Sequence, residues 1–378
     1  MLSAALAAGL VAEGAGVFDL GVLPTPGVAW HSATKGLPAA VVSASHNSYE
    51  DNGVKFFAAG GRKLTDAQQA EMESVGPASA TSVGVIEARA GARPYEAALV
   101  GSLDGRRLDG LRVVLDCANG AASAVAPTVF RAAGAEVTVI NDGPDGRNIN
   151  AGCGSTHPEG LQRAVIEHHA DAGLAFDGDA DRVLAVDAGG ALVDGDQLLA
   201  LLAIDRGLDA VVVTVMTNLG FRHAMARHAI DVVETPVGDR YVLEALEKGG
   251  WGLGGEQSGH IIFRDLATTG DGQLTGLQVL DVMHRTGRSL ADLASAMTRL
   301  PQVLRNVRVP TAGLDAAEEL WAEVRTVEAE LGDDGRVLVR PSGTEPLVRV
   351  MVEATTAEAA QAAADRLCAV AVRALGSA

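Results

Sequence analysis

A chain of 378 residues, 48% of them hydrophobic, is long enough to need more than one core, so two to four domains are expected. Aromatic residues make up only 3%, which leaves Val, Leu and Ala to build those cores, as in buried strands covered by Ala-rich helices. Lys and Arg number 30 against 48 Asp and Glu, a net charge of −18 that disfavours nucleic acid and anionic membranes as partners and demands a local positive pocket for any anionic substrate.

In chain order, Leu2, Leu6 and Leu10 recur at helical spacing and predict a helix over Leu2–Glu13. This start resembles a signal peptide in being apolar but lacks a basic n-region. A strand over Val17–Leu20, a helix over Gly27–Lys35 and a strand over Ala39–Ala44 follow. The unit recurs as strand Leu111–Asp116, helix Ala121–Ala133 and strand Glu136–Ile140. It recurs again as strand Ala210–Val215, helix Phe221–His228 and strand Asp231–Glu234. Strand, helix, strand at this length implies right-handed βαβ crossovers and mixed or parallel sheets. The tail differs, with strands at Val303–Val309, Val337–Val339 and Leu347–Glu353 before a helix Thr356–Leu375 that Thr356 can cap. Pattern changes near 97, 198 and 300 divide the chain into 1–97, 98–197, 198–300 and 301–378. Three widely spaced cysteines, Cys117, Cys153 and Cys368, fit reduced thiols in a cytosol, and no apolar run approaches the roughly 18–20 residues that span a bilayer.

Four loops can carry chemistry. In Ser43-Ala-Ser-His-Asn47, Ser45 follows a predicted strand, a common place for functional groups. There is no nucleophile-elbow motif, and the same residues suit a plain turn capped by Ser45 or Asn47. Asp51-Asn-Gly53 would fold the chain back and bring Lys55 toward Ser45. In Asp177-Gly-Asp-Ala-Asp-Arg182, three carboxylates at alternate positions can converge on one hard cation. A calcium EF-hand is excluded, because its sixth position would be Arg182 and its twelfth Ala188. Mg²⁺ suits three carboxylates with room left for other oxygens, and a solvated acidic turn is the competing reading. In Gly254-Gly-Glu-Gln-Ser-Gly-His260, alternation on an extended segment would turn Glu256, Ser258 and His260 to one side, where they suit sugar hydroxyls. A polar turn with a buried histidine fits equally. In Arg340-Pro-Ser-Gly-Thr-Glu-Pro346, Ser342, Gly343 and Thr344 can curl into an anion nest flanked by Arg340 and Arg349, or form a capped turn with surface arginines. Together these groups describe phosphoryl transfer on a phosphorylated polyol.

At this point the sequence resembles the α-D-phosphohexomutase superfamily, and is most similar to the bacterial phosphoglucosamine mutases. The four loops stand in that superfamily's order. Further matches are Leu23-Pro-Thr-Pro26, Asn148-Ile-Asn150 with Cys153-Gly-Ser-Thr156, and Val237-Gly-Asp-Arg-Tyr241. The resemblance implies an α/β fold: three similar mixed-sheet α/β domains plus a smaller α+β C-terminal domain around a central cleft. It implies that Ser45 is phosphorylated, and that Ser45, Asp177, Asp179 and Asp181 hold one Mg²⁺. Lys55 and His260 are the acid–base candidates, Lys55 needing a lowered pKa that Arg182 can promote. Arg182, Gly238, Asp239, Arg240, Glu256, Ser258, Gly259 and His260 would meet the sugar, and Arg340, Ser342, Gly343, Thr344 and Arg349 the other phosphate.

The implied reaction converts glucosamine 6-phosphate to glucosamine 1-phosphate through a sugar 1,6-bisphosphate, for amino-sugar nucleotide and cell-wall precursor synthesis. The implied protein is cytoplasmic, monomeric or homodimeric, and takes a phosphorylated hexosamine. Alternatives are a phosphomannomutase or phosphoglucomutase, a Mg²⁺-dependent phosphatase, or an inactive phosphosugar-binding remnant. Two departures stand out. Ser48 replaces the family's usual Pro. The chain also opens with the first domain already under way, so an upstream strand and phosphate-contacting loop are expected to be missing.

Overall fold

The computed structural model of the protein describes residues 1–76, 82–310, 313–342 and 347–376. It comprises two compact units, one of Met1–Met216 with His228–Ala296 and one of Thr217–Arg227 with Met297–Ala378. Among the described residues no helix is long and apolar enough to cross a membrane. The three cysteines are free.

Two sheets organise the larger unit. In one, Arg112–Asp116 runs parallel to both Glu136–Ile140 and Ala172–Phe176, and Val183–Asp187 and Leu192–Val193 continue it antiparallel. Ala172–Phe176 is buried along its whole length, as expected of an apolar strand covered on both faces. Helix Glu159–Glu167 packs Leu161, Ala164 and Val165 against Val114, Ala175 and Val186. In the other sheet, Ala210–Thr214 lies parallel between Asp231–Thr235 and Leu253–Gly255, with Ile261–Phe263 antiparallel at the edge. Helix Asp239–Gly249 sets Val242 and Leu246 against Val212 and Ile262.

The first region departs from the expected βαβ unit. Val17–Asp19 pairs in parallel with Ile86–Ala88, whereas Ala39–Ser43 forms an antiparallel hairpin with Gly53–Ala58. Residues 44–52, the loop that carries Ser45, join those two strands, so Ala39–Ser43 finds its partner close by in the chain, at low loop-closure cost. The expected helix Ala121–Ala133 is also two pieces, a 3₁₀ turn Ala121–Ala124 and an α-helix Ala126–Ala132. Pro127 explains the break, since its ring and missing N–H are tolerated only in a first turn.

The smaller unit has a three-stranded antiparallel sheet, with Val348–Glu353 between Gln302–Val307 and Arg336–Pro341. Helices Glu318–Leu331 and Ala357–Leu375 pack Leu320, Val324, Leu367 and Val370 into one core with Val350 and Val352. Thr356 caps the last helix, its side chain accepting from Ala359 N. Within this unit the buried Glu353 carboxylate accepts from Arg336, Asn218, Leu219 and Gln302.

Candidate active site

The loop after strand Ala172–Phe176 carries the three aspartates, all buried, and one ligand oxygen from each lies within 4.8 Å of the others. The chain bends tightly there, with Ala180 at φ 56°. Each carboxylate has one satisfied oxygen and one without a partner. Asp177 Oδ1 accepts Arg182 N–H at 3.2 Å, Asp179 Oδ2 accepts Thr25 Oγ1 at 2.6 Å and Lys55 Nζ at 2.7 Å, and Asp181 Oδ2 accepts Lys55 Nζ at 3.0 Å. Asp177 Oδ2, Asp179 Oδ1 and Asp181 Oδ1 are buried and have no hydrogen-bond partner among the described residues. Three orphaned carboxylate oxygens from alternate residues, converging within 4.8 Å, are a donor set that suits a hard divalent cation, so the residues present fit Mg²⁺.

The electrostatics agree. Burial, then the Asp181 and Asp179 charges, push Asp177 well above the ordinary carboxylate range. Burial also opposes ionisation of Asp181, but His260, Lys55 and Lys63 outweigh it and hold this carboxyl well below that range. Lys55 corrects an expectation. Burial favours its neutral form, yet Asp181 and Asp179 prevail and raise its pKa, so the lysine is held as a cation instead of being lowered with help from Arg182.

Ser45 reaches this loop from the end of strand Ala39–Ser43. It adopts φ 53°, a left-handed conformation that costs a non-glycine residue about 1–2 kcal/mol. Its N–H donates to Ser43 Oγ at 2.8 Å, and its carbonyl lies so close to Gly178 that a Cβ there would come within 2.5 Å of it. Lys55 stands on the partner strand of the hairpin, opposite Val41. His46 Nδ1 is 3.4 Å from Ser45 Oγ, and burial followed by the Arg182 cation lowers its pKa.

Residues 256–260 form the turn of a hairpin, not the extended segment expected. The reason is local: Glu256 N–H donates to His260 O and Gly259 N–H to Glu256 O. Gly259, at φ 86°, sits where a Cβ would come within 2.0 Å of Val183 O, so only glycine lets the turn seat on the strand behind the aspartates. Glu256 and Ser258 still meet, at 3.5 Å, and Gly238 N–H donates to Glu256. His260 turns inward and is 3% exposed. Its Nε2 lies 2.9 Å from Gly270 N and 3.3 Å from Asp239 Oδ2, and its Nδ1 3.7 Å from Asp181 Oδ1. Asp239 begins helix Asp239–Gly249 and pairs with Lys63, while Arg240 pairs with Asp66 and lies over the Tyr241 ring.

In the smaller unit, Arg340 and Arg349 face each other across paired strands, and burial followed by Arg349's charge lowers the pKa of Arg340. Among the described residues, Ser342 Oγ and Arg349 Nε are buried without a hydrogen-bond partner. Gly343 and Thr344 lie outside the described residues. The sequence reading missed Thr25, Lys63 and Asn150 as members of the site. Thr25 and Asn150 fall in the segments Leu23–Pro26 and Asn148–Asn150, whose resemblance was the available signal, whereas nothing in the sequence marks Lys63.

The sequence matches all four domains of the phosphoglucomutase/phosphomannomutase family: alpha/beta/alpha domain I over residues 1–78, domain II over 95–190, domain III over 194–300 and the C-terminal domain over 304–370. It is 54% identical over 380 residues to the phosphoglucosamine mutase of Thermobifida fusca, covering 97% of this chain and 84% of that one. It is 55% identical over 384 residues to the phosphoglucosamine mutase of Frankia casuarinae, covering 98% and 84%. Among solved structures, a phosphoglucomutase/phosphomannomutase family protein of Burkholderia thailandensis superposes with a TM-score of 0.81 at 26% identity, covering 99% of this chain and 86% of that one. An N-acetylphosphoglucosamine mutase of Aspergillus fumigatus, in complex with GlcNAc-6P and magnesium, shares the fold with a TM-score of 0.71 at 20% identity, covering 99% of each chain.

Proposed function

The chain belongs to the phosphoglucosamine mutase family, four-domain phosphohexomutases of the isomerase class, and we propose that it interconverts glucosamine 6-phosphate and glucosamine 1-phosphate. One observation carries this reading. Three buried aspartates, each with an orphaned oxygen, lie beside a serine whose backbone is pinned against their loop. Asp177, Asp179 and Asp181, with Ser45, would hold one Mg²⁺, which when bound offsets the negative charge of a phosphoryl group on the serine.

In the forward direction phospho-Ser45 gives its phosphoryl group to the free hydroxyl of the sugar phosphate. The bond between phosphorus and Ser45 Oγ breaks as one between phosphorus and the sugar oxygen forms; Ser45 Oγ takes a proton from Lys55, and the proton lost by the sugar hydroxyl restores the lysine, so the count balances. The resulting 1,6-bisphosphate turns end for end and returns its other phosphoryl group to Ser45. Lys55, held protonated by Asp179 and Asp181, supplies positive charge at the serine loop and enters as the acid of the acid–base pair. His260, buried between Asp181 and Asp239, remains the second acid–base candidate and also suits steadying the hairpin turn through Gly270. Glu256 and Ser258 suit the sugar hydroxyls, with Arg182, Gly238, Asp239, Arg240 and Gly259 shaping that side. Arg340 and Arg349, two like charges facing each other beside the Ser342 hydroxyl, suit a phosphate group together with Gly343 and Thr344. The division at 97, 198 and 300 is part of the same proposal; the four family matches support four segments in this order, with the second and third beginning a few residues earlier, at 95 and 194.

Phosphorus NMR on glucosamine 6-phosphate, with Mg²⁺ and a trace of sugar 1,6-bisphosphate, tests the reading. The 1-phosphate should appear with the parent chain and be absent with Ser45→Ala. Faster turnover of mannose or glucose phosphates would move the assignment to another sugar. Free phosphate formed by the Ser45→Ala chain would instead establish a phosphatase. No turnover by folded chain would sink the activity.

A further inference from the structure

Asn150 lies in a turn, residues 149–152, to which the proposed reaction assigns no role, yet its side chain ends in the nucleophile loop. Its amide Nδ2 donates to Ser45 O at 2.8 Å and to Asn47 O at 2.7 Å. These carbonyls flank His46, so one side chain clamps both ends of the short turn that presents Ser45. Only the NH₂ end of an asparagine can face two carbonyl oxygens, which fixes its orientation by chemistry. The residue is 7% exposed and sits at φ 57°, a conformation asparagine tolerates better than most. Its own N–H donates to Ala118 O, and the adjoining loop donates from Ala121 N–H to Gly178 O in the aspartate loop. Asn150 therefore ties the serine loop to the same backbone that supports the metal-binding loop.

We propose that Asn150 is a positioning residue for the seryl nucleophile, holding Ser45 in its left-handed conformation against Gly178 so that Oγ keeps a fixed place beside the aspartates. This rests on the mutase reading for its effect on turnover, but the clamp itself does not depend on it. Neither alternative side chain can replace the clamp. Asn150→Ala removes both donors, and Asn150→Asp sets a carboxylate against two carbonyl oxygens.

The test pairs kinetics with amide hydrogen exchange on the full chain. For both variants kcat should fall by roughly 10²-fold, the loss expected for a displacement of about 1 Å at a reacting centre, while KM for glucosamine 6-phosphate stays within about threefold. Exchange at the Ser45 and Asn47 amides, which bond to Ser43 Oγ and Ala44 O, should accelerate at least about tenfold. If one variant does not fold, the other decides. A parent-like kcat, or an equal loss in KM and kcat, would overturn the positioning role. Unchanged protection of the two amides would overturn the clamp even if the parent chain showed no mutase activity. Faster exchange in variants of an inactive parent would keep the clamp and refute only the activity.

Discussion

Gly178→Ala should damage catalysis more than stability, and the reason lies in what its new methyl group meets. The added carbon would come within 2.5 Å of Ser45 O and within 2.6 and 2.7 Å of Ile149 Cδ1 and Cγ1. Ile149 can rotate away. Ser45 O cannot, because it belongs to the backbone and accepts from Asn150 Nδ2. Gly178 does not occupy the left-handed region, so the cost is steric alone. Overpacking of this kind costs about 1–3 kcal/mol, which for a chain of this size shifts Tm by only a few degrees. Restoring a normal carbon–oxygen contact displaces the serine loop by roughly 1 Å, and a misplacement of that size at a reacting centre costs about 10²-fold in rate. Melting by circular dichroism and turnover by phosphorus NMR read the two effects separately. Gly160→Ala, in helix Glu159–Glu167 with nothing within 4 Å of the new carbon, is the control and should leave both unchanged or slightly raise Tm. A Gly178→Ala chain with parent-like kcat would refute the claim that Ser45 and the aspartate loop are held in contact.

Three further outcomes are expected. Thr25→Val removes the hydroxyl that donates to Asp179 Oδ2 at 2.6 Å without changing shape, and Mg²⁺ affinity measured by calorimetry should fall by about 10–100-fold; unchanged affinity would exclude Thr25 as a support for that ligand. Asp271, buried at a helix start and bonded by Tyr95, has its pKa raised by burial to about 6. The folded state then binds more protons than the unfolded one between the ordinary carboxylate value and 6, so stability falls as pH rises through that window. Asp271→Asn should gain on the parent by roughly 3 kcal/mol across it, and urea midpoints that stay parallel would refute this. Arg336→Met leaves the fully buried Glu353 with only neutral donors and should cost about 3 kcal/mol or more on thermal or urea unfolding; a loss under about 1 kcal/mol would show the charge to be compensated elsewhere.

The sequence by itself showed which loops concentrate reactive side chains. Three aspartates at alternate positions can share a cation or form a solvated acidic turn, and their burial with three converging oxygens, which favours the first, came only with the fold. Strands such as Arg112–Asp116 and Ala210–Thr214 were legible because buried parallel strands are continuous apolar runs, and Thr356 was legible because capping is a one-turn interaction. Helices Gly195–Asp205 and Gly272–Thr286 were not. Both are buried on nearly every side, so neither carries the one-sided apolar stripe that marks a helix.

Tertiary structure alone decided which loops meet and in which protonation state. Partners distant in the chain set Asn150 on Ser45, Thr25 on Asp179 and Lys63 on Asp239, and no periodicity encodes such contacts. The direction of the Lys55 shift was likewise beyond sequence reasoning. A lysine's pKa depends on the balance between burial and neighbouring charge, and only the folded chain places two carboxylates within 3.0 Å of its ammonium group.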